Sequence, residues 1–265
     1  MARILLVRHA QSEWNALGRW QGWADPPLSP LGRNQAEQAG RHLRARQIDV
    51  RGGDDDRGGG GGLRGADDVE ADGAPGTDGG LEADGRLGTD GRLGTGGSLG
   101  VSSRLLVVSS DLQRASTTAG IVAATALPGV RPETDPDWRE YRVGAWSGMT
   151  RPEIEQRWPG DLDRWDRGEL LAPPDGEHRS HFESRLLRAL DRVAAHAGKT
   201  GTSLVVTHGG AIRSLSRRFR APVNHVGNLA GVLVEGSAGR FRQVGTLDLL
   251  DELPDERKEP QPAPD

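Results

Sequence analysis

The sequence predicts an α/β fold, a three-layer α/β/α sandwich with a mostly parallel central sheet. Three observations predict it. Residues 3–8, 104–110 and 203–207 are short apolar runs without the alternation of a half-solvated strand, so they read as strands covered on both faces. Helix-start signals follow the strands along the chain, giving the β-α alternation of a parallel sheet. The first and last of these runs each end on a histidine, in Arg8-His9 and Thr207-His208. Open α/β sheets place their ligands at those carboxyl ends.

Each element has a local reason. After the first strand comes a loop rich in Gly, Trp and Pro. Ser29 then caps a helix with Pro30 at its first position, where a missing N–H costs nothing. That helix runs to about Gln47, with Leu31, Ala36, Ala39, Gly40 and Leu43 on its inner face. The strand at 104–110 feeds a helix from about Asp111 to Ala126, and a short strand follows near 130–133. Thr150-x-x-Glu153 and Ser180-x-x-Glu183 match capping boxes and open helices near 151–158 and 181–197. Strand 203–207 leads through Gly209-Gly210 into a helix over 211–219, and two last strands sit near 229–235 and 240–247.

Between the first helix and the second strand the composition changes. Residues 51–100 hold 19 of the 39 glycines and carry a net charge of −6. Ordering so many glycines is entropically costly, and little apolar surface offsets it. The expected organisation is one domain over 1–250, interrupted by a disordered Gly/Asp/Arg-rich insertion at 51–103, with a disordered acidic, Pro-rich tail at 251–265.

Composition narrows the function. Outside residues 51–100 and 251–265 the chain carries a net charge of +6. That suits an anionic small molecule and is too weak and scattered for nucleic acid. With no cysteine, thiolate chemistry and disulfides are excluded. No run approaches the 18 apolar residues of a membrane span, and the apolar run before Arg8 is too short for a signal peptide. The expected location is the cytoplasm. His178 and His181 lie three apart, but no HExxH, thiolate or carboxylate frame accompanies them, so no metal is expected.

Five segments in order carry a family resemblance. They are Leu6-Val7-Arg8-His9-x-Gln11-Ser12-Glu13-x-Asn15; Arg19-x-Gln21-Gly22-x-x-Asp25-x-Pro27-Leu28-Ser29; Ser109-Ser110-x-Leu112-x-Arg114-Ala115-x-x-Thr118-Ala119; Arg139-Glu140-x-x-x-Gly144-x-Trp146-x-Gly148; and Val206-Thr207-His208-Gly209-Gly210. Together they resemble the histidine phosphatase superfamily, in its phosphoglycerate mutase-like branch, over roughly 1–48 and 104–248. The resemblance implies a phosphoglycerate mutase-like fold and a phosphohistidine intermediate, with no cofactor and no metal. His9 is then the nucleophile. Arg8 and Arg114 disfavour its imidazolium form and bind phosphoryl oxygens, and His208 is a further donor. Glu140 is the general acid and base, a role worth about 10²–10⁴-fold. Asn15, Arg19, Gln21, Gly22 and Gly209 are expected at the phosphate or substrate.

Two positions depart from the family pattern. Ala10 stands where glycine is commonest, and His178 stands where serine is usual, a change expected to alter a pocket contact. The implied activity is metal-independent hydrolysis of a small phosphorylated metabolite, either a sugar phosphate or a phosphoglycerate derivative. The expected partners are that metabolite and a second copy of the chain, with neither nucleic acid nor membrane. A mutase is the alternative. Its longer cap carries adjacent arginines, which residues 148–167 lack. A phosphoprotein phosphatase and a non-catalytic phospho-ligand-binding module are the remaining readings.

Overall fold

The computed structural model describes residues 1–52, 106–197 and 201–250. Six strands form one sheet: β1 (Ala2–Arg8), β2 (Leu106–Ser109), β3 (Glu133–Thr134), β4 (Thr202–Thr207), β5 (Ala230–Ser237) and β6 (Arg240–Asp248). Their order is β3-β2-β4-β1-β5-β6, with β3, β2, β4 and β1 parallel and the β5-β6 hairpin antiparallel at one edge.

Side-chain alternation along β1 builds two cores. Ile4 and Leu6 face one layer with Phe182, Leu186, Leu190, Ile212 and Leu215. Leu5 and Val7 face the other with Ala36, Ala39, Leu43, Ala115 and Val122. The first layer holds α6 (Arg179–Ala197) and α7 (Gly209–Arg218), and the second holds α2 (Pro30–Gly52) and α3 (Gln113–Ala126). The expected α/β/α sandwich with a mostly parallel sheet is what forms. Three short helices lie in the connections: α1 (Glu13–Ala16), α4 (Arg151–Arg157) and α5 (Asp161–Asp166).

The caps explain where the helices begin. Ser29 Oγ accepts from the Gly32 N–H at 3.0 Å, which starts α2 at Pro30 as expected. Thr150 and Glu153 form their reciprocal box at α4. Three local expectations are corrected. The helix expected to end near 47 continues to Gly52, and the rest of the 51–103 insertion, like the 251–265 tail, lies outside the described residues. Leu31 is exposed: the inner face of α2 is Gly32, Ala36, Ala39, Gly40 and Leu43, one helical step away from Leu31. Ser180 does not cap α6. Phe182 N–H bonds the His178 carbonyl at 3.1 Å, and Ser180 N–H reaches His178 Nδ1 at 3.3 Å. His178 is therefore the capping residue, exposed to solvent beside Ser180, and the expected change in a pocket contact gives way to a change of helix cap.

Candidate active site

The β1–β4 register sets the centre. Arg8 pairs with Thr207 across the parallel ladder, and His9 N–H continues the ladder to the Thr207 carbonyl at 2.9 Å. The next residues, His9 and His208, therefore leave adjacent strands side by side. Their ring centroids lie 5.1 Å apart at 63°. Both are buried.

His9 is held in one tautomer. Its Nδ1 lies 2.7 Å from the Ala10 carbonyl, which can only accept, so Nδ1 carries the proton. Nε2 keeps its lone pair. Burial, then the Arg114 and Arg8 charges, hold the His9 pKa well below 6.5, against a smaller opposing effect of the Ala10 bond. The ring is neutral at physiological pH. Asn228 Nδ2 bonds the His9 carbonyl at 2.9 Å, and Thr118 Oγ1 accepts from Ala10 N–H at 3.1 Å, so the backbone on both sides of the ring is fixed.

His208 is depressed well below 6.5 by burial first, then by Arg114, His9, Arg185 and Arg8. Neither of its ring nitrogens has a hydrogen-bond partner among the described residues. A buried polar group left unsatisfied costs about 1–3 kcal/mol. A phosphoryl oxygen against the ring would remove that cost.

Arg114, in the first turn of α3, is 1% exposed. Its Nη1 and Nη2 donate to the Ala24 and Gly22 carbonyls, each at 2.8 Å, while Nε has no partner among the described residues. Burial pulls its pKa down to about 10, with Glu140 and Asp25 opposing, so it stays cationic. Gly22 has φ +53°, and a Cβ there would lie 2.7 Å from Val143 Cγ2 and 2.9 Å from Val143 N. Only glycine turns the loop tightly enough to point its carbonyl at Arg114. Arg8 donates through Nη1 to the Val226 carbonyl at 2.8 Å.

Glu140 closes the site from the segment before α4. Its Oε1 accepts from Tyr141 N–H at 2.8 Å and its Oε2 from Gly210 N–H at 2.9 Å. Glu140 acts electrostatically on both Arg8 and Arg114, opposing the burial that lowers the pKa of each. The carboxylate thus shares a site with both arginines. Gly209 lies against the Arg8 stem, where a Cβ would be 3.5 Å from Arg8 Cδ.

Three expected phosphate contacts have other occupations. Asn15 forms the capping box of α1, its Oδ1 accepting from Ser12 N–H and its N–H donating to Ser12 Oγ, both at 3.2 Å. Gln21 Oε1 accepts from Ser12 Oγ at 2.9 Å. Arg19 donates to the Gly148 carbonyl and to Glu153 Oε2, tying the loop to the cap.

Several site residues escape sequence reasoning. Arg185, from the middle of α6, donates to the carbonyls of Asp137 (2.8 Å), Arg139 (2.7 Å) and Glu140 (2.8 Å) and pairs both oxygens of Glu177. It therefore holds the backbone that carries Glu140. Asp111 grips Arg139 through two bonds of 2.7 and 2.6 Å, and the Arg139 guanidinium lies 4.9 Å from the Trp23 ring. No sequence spacing marks these partners. Among the described residues no group of three or more His, Cys, Asp or Glu could hold a metal, and no helix is long and apolar enough to cross a membrane.

The arrangement is a neutral buried imidazole with a free lone pair, ringed by two guanidiniums, a second imidazole and a carboxylate. It suits attack on a phosphoryl group.

Comparison with known proteins agrees. The chain matches the model of the histidine phosphatase superfamily (branch 1) over residues 4–51 and 99–236. It is 29% identical over 220 residues to a glucosyl-3-phosphoglycerate phosphatase of Mycolicibacterium vanbaalenii, covering 81% of this chain and 72% of that protein. It is 26% identical over 215 residues to a 2,3-bisphosphoglycerate-dependent phosphoglycerate mutase of Bartonella bacilliformis, covering 80% and 78%. A structure of a mycobacterial glucosyl-3-phosphoglycerate phosphatase with VO3 superposes with a TM-score of 0.63 at 25% identity, covering 92% of this chain and 97% of that one. The matched segments contain the strand ends and helix starts that build the site just described, and the chain belongs to the histidine phosphatase superfamily, branch 1.

Proposed function

We propose that this enzyme hydrolyses the phosphomonoester of a small phosphorylated metabolite, a sugar phosphate or phosphoglycerate derivative, through a phosphohistidine on His9. The bond from His9 Nδ1 to the Ala10 carbonyl is the observation that carries the reading, because it leaves Nε2 bare in a ring kept neutral by burial and two guanidiniums. Nε2 attacks phosphorus, the P–O bond to the leaving alcohol breaks, and Glu140 gives that oxygen its proton. Water then attacks the phosphohistidine while Glu140 takes a proton from it, releasing inorganic phosphate and restoring His9. Arg8, Arg114 and His208 donate to the phosphoryl oxygens, where charge spreads in the transition state. Arg19 and Asn15 serve the loop that brings Gly22 to Arg114.

The cap favours hydrolase over mutase. A mutase must retain a bisphosphate intermediate and so hold two phosphates. The cap arginines are instead committed to neighbouring carboxylates: Arg151 to Asp166 at 2.6 Å, Arg164 to Asp161 at 3.0 Å and Arg167 to Glu169 at 2.8 Å. The phosphatase-named relatives support the same choice. A panel of phosphorylated metabolites scored by kcat/KM, with mutase turnover assayed alongside, tests the reading. Phosphate release from one of them without phosphoglycerate interconversion is expected. Interconversion faster than release would replace the reading with a mutase.

A further inference from the structure

The residues just before β5 grip the Arg8-His9 pair at three points. The Val226 carbonyl accepts from Arg8 Nη1 at 2.8 Å, Leu229 N–H donates to the Arg8 carbonyl at 3.0 Å, and Asn228 Nδ2 donates to the His9 carbonyl at 2.9 Å. A backbone carbonyl can only accept, so the nitrogen of the Asn228 amide is the atom that faces it. The sheet brings these residues there. β5 runs antiparallel to β1 with Gly231 opposite Val7, so the chain entering β5 passes the residues leaving β1. The approach is close: a Cβ on Gly231 would lie 1.8 Å from the Leu6 carbonyl oxygen.

The grip holds its shape against a local preference. Leu229 has φ +60°, a left-handed conformation that a residue with a Cβ disfavours. Its side chain is fully buried in the core of Leu5, Val7 and Leu233, and its carbonyl accepts from Leu249 N–H at 3.1 Å. Such strain persists only where the surroundings over-determine it, and it clusters at functional sites. Here the strained turn aims Leu229 N–H at Arg8 and sets Asn228 beside His9.

The target of Asn228 is what gives it a task. The His9 carbonyl and the Ala10 N–H are the two ends of one peptide plane. Asn228 holds the first end, and Thr118 Oγ1 accepts from the second at 3.1 Å. The next carbonyl along the chain, that of Ala10, accepts from His9 Nδ1 at 2.7 Å and so orients the ring. A tilt of the plane therefore moves the group that aims Nε2. Among the described residues the Asn228 side chain makes no other hydrogen bond.

We infer that Asn228 is a positioning residue for phosphoryl transfer: it sets the tilt of the His9–Ala10 peptide, and through it the line along which Nε2 meets phosphorus, without adding to phosphate affinity. The inference rests on the phosphatase reading and extends it to a residue that touches neither the substrate nor the reacting atoms. Phosphate affinity belongs to the side chains of Arg8, Arg114 and His208, none of which the Asn228 side chain touches.

The test separates the reacting step from binding. A misplacement of about 1 Å in a reacting group costs about 10²-fold, and freeing one end of the plane moves the ring by less. In the full-length enzyme, N228A should lower kcat on phenyl phosphate by about tenfold or more, with KM and the inhibition constant of inorganic phosphate within about twofold. N228D keeps the volume but turns an acceptor toward an acceptor, so it should lose at least as much kcat as N228A. A packing role would instead spare N228D. Unchanged kcat, parallel losses of kcat and phosphate affinity, a spared N228D, or loss of the folded state in both variants overturns the inference. Turnover of phenyl phosphate by the unmutated enzyme and by H9A is measured alongside. Turnover that H9A abolishes and N228A leaves intact refutes the role of Asn228 and spares the phosphatase reading. Turnover that H9A retains, or none in the unmutated enzyme, refutes the reading itself.

Discussion

Gly210→Ala separates the position of Glu140 from the stability of the fold. Gly210 donates its N–H to Glu140 Oε2 at 2.9 Å, and a Cβ added there would lie 2.2 Å from Oε1, 2.9 Å from Cδ and 3.1 Å from Oε2. Non-bonded carbon and oxygen rest at about 3.5 Å, so the carboxylate must retreat by about 1 Å. Displacements of that size in a catalytic group cost about 10²-fold, or about 2.7 kcal/mol of barrier. The fold hardly notices, because the obstacle is the far end of a flexible side chain. Alanine is also preferred over glycine inside a helix by roughly 0.5–1 kcal/mol. The expected outcome is a fall in kcat of about 10²-fold on an aryl phosphate, with the melting temperature unchanged or slightly higher. Because the effect runs through Glu140, G210A should cost less than threefold when added to E140Q. An unaltered kcat in G210A, or an equal loss in both backgrounds, refutes the placement of Glu140 as the proton donor.

Two further outcomes follow from the same geometry. Both His9 and His208 are neutral in the fold below the pH at which the unfolded chain protonates them, near 6.5. The unfolded state then binds more protons, so stability is full above pH 6.5 and falls as pH drops below it, by up to about 1.4 kcal/mol per pH unit for each ring. Urea titrations at several pH values should show this slope, and H208N should lessen it; a flat profile between pH 6.5 and 5 contradicts neutral buried rings. Arg185 and Glu177 have side chains 8% and 11% exposed. R185M should therefore destabilise the fold by about 3–5 kcal/mol, as for a buried pair broken on one side. R192A, at a pair whose arginine is half exposed, should cost about 1 kcal/mol or less. Equal midpoints in urea for the two variants would show that Arg185 does not anchor the Glu140 segment.

What the sequence made legible was short-range. The apolar runs ending in Arg8-His9 and Thr207-His208 marked strands whose carboxyl ends meet, because parallel register needs only that both strands stop together. Ser29 and Thr150 declared their helices through bonds three residues long. Where two signals overlapped, the sequence misled. Ser180 has a Glu three residues on, yet His178 caps α6 because the chain turns two residues earlier. Asn15 and Arg19 carry the residue types of phosphate ligands, and their bonds to Ser12, to the Gly148 carbonyl and to Glu153 are contacts that no spacing announces. Arg185 and Asn228 were illegible for a different reason. They reach segments 45 and 219 residues away, and only the order of strands and helices brings them there.

The central claim is that His9 Nε2 becomes the phosphoryl carrier. Rapid acid-free quenching of the enzyme with a labelled phosphomonoester, followed by peptide mapping, tests it most directly. The account predicts an acid-labile, alkali-stable phosphate on His9 Nε2, absent from H9A together with turnover. A label on another residue, or substantial hydrolysis by H9A, would contradict it.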